Sequence, residues 1–125
     1  MRVDYRYDEL TNRLTTRCEG SVSLADVVEH FRKLGRDSRL KPRCDVVLDL
    51  EFLSTLPTVT QIDEVATIIE EMSDLMPFGR LGVIADQRVV YELGRLFQGV
   101  AWPLFAGIRV FRSHADAVGW LDRTR

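Results

Sequence analysis

The chain has 125 residues, the size of one ordinary domain. Its 46% apolar and 29% charged residues exclude a disordered chain, and 17 Lys and Arg against 19 Asp and Glu leave a net charge of −2. No global field therefore argues for nucleic acid or a membrane surface, and roughly 65–70% of the unfolded surface can be buried without metal or disulfides.

The first twenty residues alternate. Val3, Tyr5 and Tyr7 oppose Asp4, Arg6 and Asp8; Leu14, Thr16 and Cys18 oppose Arg13, Thr15, Arg17 and Glu19. Period two is the mark of strands with one wet face, and the polar stretch Glu9-Leu10-Thr11-Asn12 between them predicts an antiparallel hairpin. Gly20 and Ser21 break the pattern. Ser23, with Asp26 three residues on, predicts a helix cap. Leu24, Val27, Val28, Phe31 and Leu34 then form one helical stripe that ends near Gly35.

Asp45 to Leu50 is a short apolar run of the kind buried on both faces in parallel sheets. A loop over Glu51–Val59 follows, and Thr60 with Asp63 predicts the next cap. Ile62, Val65, Ala66, Ile69, Met72 and Met76 carry the helical spacing to Pro77-Phe78-Gly79. Leu81–Ala85 reads as a second buried strand, and Asp86 is expected to cap a helix whose apolar face is Val89, Val90, Leu93, Leu96, Phe97 and Val100. An apolar loop is expected over Gln98–Gly107, then a third buried strand at Ile108–Phe111. Ser113 with Asp116 caps a last helix holding Ala117, Val118, Trp120 and Leu121. The order ββαβαβαβα predicts a single α/β domain over residues 1–125, a mixed five-stranded sheet with four helices.

Cys18 and Cys44 show no C-x-x-C spacing, and His30 and His114 no H-x-x-x-H. The expectation is reduced thiols in the cytoplasm, with Cys18 a small core residue, and no metal and no cofactor. No export signal is visible at the N-terminus. The longest uncharged run, Leu96 to Ile108, is thirteen residues, against the roughly 20 of a membrane span, so no integral membrane protein is expected.

Several stretches carry a resemblance: Gly20-Ser21-Val22-Ser23-Leu24-Ala25-Asp26, Arg39-Leu40, Val46–Leu50, Arg80–Ala85, Tyr91–Arg95, Val110–Ser113 and Ala117–Leu121. In this order the chain resembles the SpoIIAA-like group, which includes STAS domains and the lipid-binding CRAL-TRIO domains. More narrowly, it is similar to small bacterial STAS/SEC14-like proteins. The resemblance implies a SpoIIAA-like βα superhelix with an N-terminal antiparallel hairpin followed by parallel strands. It departs at Glu92, where the small bacterial proteins tend to have Gly, and at Leu56-Pro57-Thr58-Val59-Thr60, where the anti-sigma antagonists carry a phosphorylated Asp-Ser-Ser-Gly run.

Four features are candidates for function. Thr58 and Thr60 stand where a second helix begins, as hydroxyl caps or, less in keeping with their usual use, as a phosphate switch. Asp49 is a carboxylate in an apolar strand near its C-terminal end, where open sheets bind ligands; a structural acceptor for the following loop is the favoured reading. Trp102, Leu104 and Phe105 mark ligand or partner contacts, or a loop folded over the core. Arg32–Arg43 is basic and Asp63–Asp74 acidic, solvated helix faces or docking patches, with homodimerisation one form of the latter. The basic stretch has no interleaved aromatics for nucleic acid. No G-x-S-x-G, P-loop or G-x-G-x-x-G occurs, so no enzyme is expected. Two functions follow from the resemblance and these features: a regulatory or protein-binding module of STAS type with an unidentified partner, and a carrier or sensor of a small apolar ligand or lipid.

Overall fold

The computed structural model describes residues 2–55 and 57–123. Leu56, part of the stretch compared with the phosphorylated run, lies outside the described residues, as does the side chain of Leu75. The elements are β1 (Val3–Asp8), β2 (Arg13–Gly20), α1 (Leu24–Arg36), β3 (Asp45–Leu53), α2 (Val59–Leu75), β4 (Arg80–Ile84), α3 (Arg88–Ala101), β5 (Gly107–Phe111) and α4 (His114–Arg123). A short tight helical turn, Trp102–Leu104, joins α3 to β5.

The strands form one sheet in the order β1-β2-β3-β4-β5. β1 and β2 are antiparallel, and β2 through β5 are parallel. The three apolar runs lie side by side in parallel, with Val46 opposite Leu81 and Leu81 opposite Ile108. Each crossover joins neighbouring strands and steps the same way across the sheet. Crossovers of one hand then place α1, α2 and α3 on one face.

The core records that arrangement. Leu14, Val46, Leu81, Val83 and Ile108 pack with Leu34 and Ile69 in one cluster. Val47 and Ile84, one residue out of phase, pack with Ala117, Trp120 and Leu121 of α4 on the other face. On that second face α4 reaches β3, β4 and β5. Arg6 and Arg17 of the hairpin face outward with it and are exposed.

Several local expectations change. The cap of α2 is Thr58: its Oγ1 accepts the Gln61 N–H at 3.1 Å, and the Thr58 N–H donates to Gln61 Oε1 at 2.8 Å. Thr60 is the second residue of the helix and caps nothing. Asp86 does not cap α3 either; its N-cap position is Gln87, with no side-chain bond. Ser23 and Ser113 cap as expected, accepting from the Asp26 and Asp116 N–H groups, both at 3.2 Å. β3 runs three residues past Leu50, because its register against β2 slips between Arg17 and Glu19 and lets pairing resume at Phe52. The stretch expected as a loop over Gln98–Gly107 is the end of α3, then the tight turn.

The expected apolar face of α3 is split in two. Val90, Gly94 and Ala101 are buried, with Leu93 and Phe97 beside them, while Val89, Leu96 and Val100 are exposed. Gly94 decides the choice. A Cβ there would lie 3.2 Å from Val110 Cγ1 and 3.6 Å from Val83 Cγ1, so only the glycine side of the helix can sit this close to the sheet.

Candidate functional site

Between the sheet and the three helices on its first face lies a cavity of about 340 Å³. Leu14, Cys18, Leu48 and Val83 floor it from β2, β3 and β4. Phe31 of α1, Val65 of α2 and Phe97 of α3 roof it. Among the described residues, no Lys, Arg, Asp or Glu lines it. Its polar lining comprises two threonines, two serines, one glutamine, one histidine and Cys18.

The local reasons are plain. Thr16 and Cys18 line the cavity from β2 with small side chains, Thr16 facing His30 of α1. The connections after β2 and β3 bring Ser21, Ser23 and Thr55 to the cavity and the first turn of α2 brings Gln61, and all four are exposed. The cavity therefore reaches solvent at the C-terminal ends of β2 and β3, between the beginnings of α1 and α2. That is the sheet end at which open α/β folds take ligands.

One lining residue went unnoticed as a site from sequence. His30 of α1 is 5% exposed. Its Nε2 lies 3.4 Å from Thr16 Oγ1, and its Nδ1 has no hydrogen-bond partner. The ring packs edge-on to Tyr5 and to Phe31, with centroids 5.7 and 5.3 Å away. Burial, helped by Lys33 one turn on and opposed by Asp4, lowers its pKa from 6.5 to about 4, so the ring is neutral at pH 7. The signal was present: His30 stands three residues after Val27 and four before Leu34, on the buried stripe. Cys18 also lines the cavity, half-buried, and burial followed by the charge on Asp49 pushes its thiol up to about 12. It is a neutral wall, not a nucleophile.

The residues singled out from sequence are dispersed. Phe105 lines the cavity and stacks on Phe78, centroids 5.6 Å apart. Leu104 packs half-buried against the same core, while Trp102 is 65% exposed. Thr58 closes the start of α2 beside Pro57 and Gln61, both at the cavity wall, and Thr60 faces solvent. Asp49 is on the opposite face of the sheet. It is buried, accepts the Glu51 N–H on Oδ1 at 3.0 Å, and places Oδ2 3.4 Å from Arg17 Nε. Burial, then the nearby Asp49 charge, raises the Glu51 pKa.

Among the described residues, no group of three or more His, Cys, Asp or Glu could hold a metal ion. No described helix is long and apolar enough to cross a membrane.

No protein-family model matches the chain, and no curated protein matches it. Among solved structures it is similar to an uncharacterised protein of the DUF3478 family with a SpoIIAA-like fold, from Shewanella loihica PV-4. The two are 14% identical and superpose with a TM-score of 0.65 over 95% of this chain and 91% of that one. The fold of this chain is SpoIIAA-like.

Proposed function

We propose that this protein binds a small apolar molecule between its sheet and helices α1–α3, as a carrier or sensor and not as an enzyme. The observation that supports the reading is the cavity of about 340 Å³ with no charged side chain among the described lining residues. Open to water, those apolar walls forgo burial that an apolar occupant would supply, and ligand pockets begin at roughly this volume. Motif-level chemistry points the same way. Asp49 is turned to the other face, engaged by Glu51 and Arg17, and the described residues of the cavity wall hold no acid–base pair.

Native mass spectrometry of freshly purified protein tests this. A stoichiometric, lipid-sized adduct that organic extraction removes is expected. Protein that is bare, and that takes up neither alkanes nor aliphatic alcohols when they are added, would remove the reading.

A second reading has its own support. Val89, Leu96 and Val100 form an exposed stripe on α3, continued by Trp102. Such a stripe suits a protein-binding or regulatory module, with a homodimer one form of it. A bare dimer that separates when Leu96 is changed to Glu would favour this module over the carrier.

A further inference from the structure

Resting on the cavity-binding reading above, we infer that the ligand is an uncharged amphiphile whose hydrogen-bonding oxygen is held by His30. Two independent observations converge. The first is the imidazole itself. It is 5% exposed and it lines the cavity; Nδ1 has no partner and is itself shielded from a water-sized probe, so a ligand oxygen reaches it through a small turn of the ring. Buried polar atoms are nearly always paired, and one that is not calls for a group that the protein does not supply. The Nε2 side is already taken by Thr16.

The second is the charge of the wall. An ionised head group taken out of water needs a counter-charge, and no Lys or Arg is among the described lining residues. Lys33 and Asp4 act on His30 from α1 and β1, but neither lines the cavity. The helix start nearest the mouth does not supply the need, because the Asp26 carboxylate already occupies the N-terminus of α1 in the capping box with Ser23. A carboxylate or phosphate head is therefore disfavoured in the interior of the site, beside His30. A hydroxyl is suited to it. It both donates and accepts, so it pairs with Nδ1 in either tautomer of the ring. The tail then lies along Leu14, Leu48 and Phe97. At the ~30 Å³ that a water occupies in the liquid, the cavity has room for about eleven such groups. That is a medium-length chain or a small ring system.

The test uses octanol, octanoate and nonane as probes. Dissociation constants come from amide chemical-shift titrations, with nonane delivered from saturated vapour. Wild-type protein is expected to bind octanol at least about tenfold more tightly than octanoate at pH 8. Octanoate binding as tightly as octanol would overturn the uncharged class. His30→Leu is expected to weaken octanol about tenfold and leave nonane unchanged or tighter. An equal effect on both probes, or none on octanol, would show that a water alone meets Nδ1 and overturn the anchor. Should His30→Leu not fold, the histidine ring nitrogens of the labelled wild type decide. They are expected to shift with octanol and not with nonane; the same response to both overturns the anchor. Nonane bound with no preference for octanol leaves the cavity reading standing without the anchor. Binding of neither probe removes both.

Discussion

Asp49 meets Arg17 across the β2–β3 ladder at the point where its register slips, with Asp49 Oδ2 3.4 Å from Arg17 Nε. The extra length taken up by β3 there displaces the Glu51 N–H, and Asp49 Oδ1 accepts it at 3.0 Å. The carboxylate thus mends the break in the ladder that lets β3 extend to Leu53, whose side chain reaches the cavity. The two bonds differ in worth. Arg17 is half-exposed, so its ion pair contributes about 0–1 kcal/mol, whereas an orphaned buried donor costs about 1–3 kcal/mol. Asp49→Asn, which keeps an oxygen for Glu51, is expected to lose less than about 1 kcal/mol. Asp49→Ala is expected to lose about 1–3 kcal/mol. Urea denaturation of the two variants checks the order; equal losses would mean that charge and not the backbone bond sets the role.

The start of α2 offers a sharper contrast. Thr58 and Gln61 satisfy each other's backbone N–H groups, and Thr60 is an exposed residue inside the first turn. Thr58→Ala is expected to cost about 1 kcal/mol and Thr60→Ala less than about 0.5 kcal/mol. Thermal or urea melts distinguish them. A larger loss at Thr60 would restore the cap to the position that the Thr60–Asp63 spacing suggested.

What the residues disclose on their own follows from which forces act locally. β3 and β4 are legible because a strand covered on both faces must be continuously apolar, as Val46–Leu48 and Leu81–Ala85 are, whereas the expected third buried strand, β5, lies at the sheet edge with Arg109 exposed and only Ile108 buried. The hairpin is legible because one face is wet. The end of α3 is not, since nothing between Gln98 and Trp102 separates a helix from an apolar loop. The cavity is not legible either. Leu48, Val65 and Phe97 would show the same spacing whether they met each other or stood apart across a gap. The gap depends on how α1, α2 and α3 seat over the sheet, a relationship among elements far apart in sequence. His30 could have been placed on the buried stripe, but its missing partner is visible only once Thr16, Tyr5 and Phe31 surround it.

The divided face of α3 makes a prediction about neighbours in sequence. Val90 is 2% exposed and Val89 55%. Val90→Ala is expected to cost about 2 kcal/mol, and Val89→Ala to stay within about 0.5 kcal/mol. Reversed values in a urea series would rotate the helix onto the stripe expected from Leu96 and Val100.

Gly79 lies at the opposite end of the sheet from the cavity mouth, inside a tight polar knot. Its N–H donates to Cys44 O at 2.7 Å, and a Cβ placed on it would meet Arg43 O and Asp45 Oδ1, both at 2.6 Å. Asp45 cannot yield freely, since it accepts from the Arg80 N–H and from Arg80 Nη2, each at 2.9 Å. Gly79→Ala is therefore expected to cost about 1–3 kcal/mol, through forced displacement of the backbone at Arg43 or of the Asp45 carboxylate. Stability unchanged by that methyl group would show that the β3 and β4 starts are less constrained than their hydrogen bonds imply.

The buried imidazole gives the fold a pH dependence whose sign is fixed. His30 titrates near 6.5 when unfolded and near 4 when folded, because burial disfavours the cation, Lys33 adds to that, and Asp4 only partly opposes it. Between these values the unfolded chain holds a proton that the folded chain does not, so stability falls as the pH drops from about 6.5 to about 4 and the loss levels off below. The full effect is on the order of 3 kcal/mol. Other groups titrate in the same range. The depressed Asp37, held by Arg39 and Tyr5, loses its contribution toward lower pH still. The His30 part is isolated by difference against His30→Gln, which keeps polar atoms but no titration. Wild type is expected to lose about 3 kcal/mol relative to that variant between pH 7 and pH 4. A bound uncharged ligand should deepen the loss, since its hydrogen bond to Nδ1 is made by the neutral ring in either tautomer. Parallel stability curves for the two proteins would mean that the imidazole is hydrated, and that the cavity wall is open to water where His30 stands.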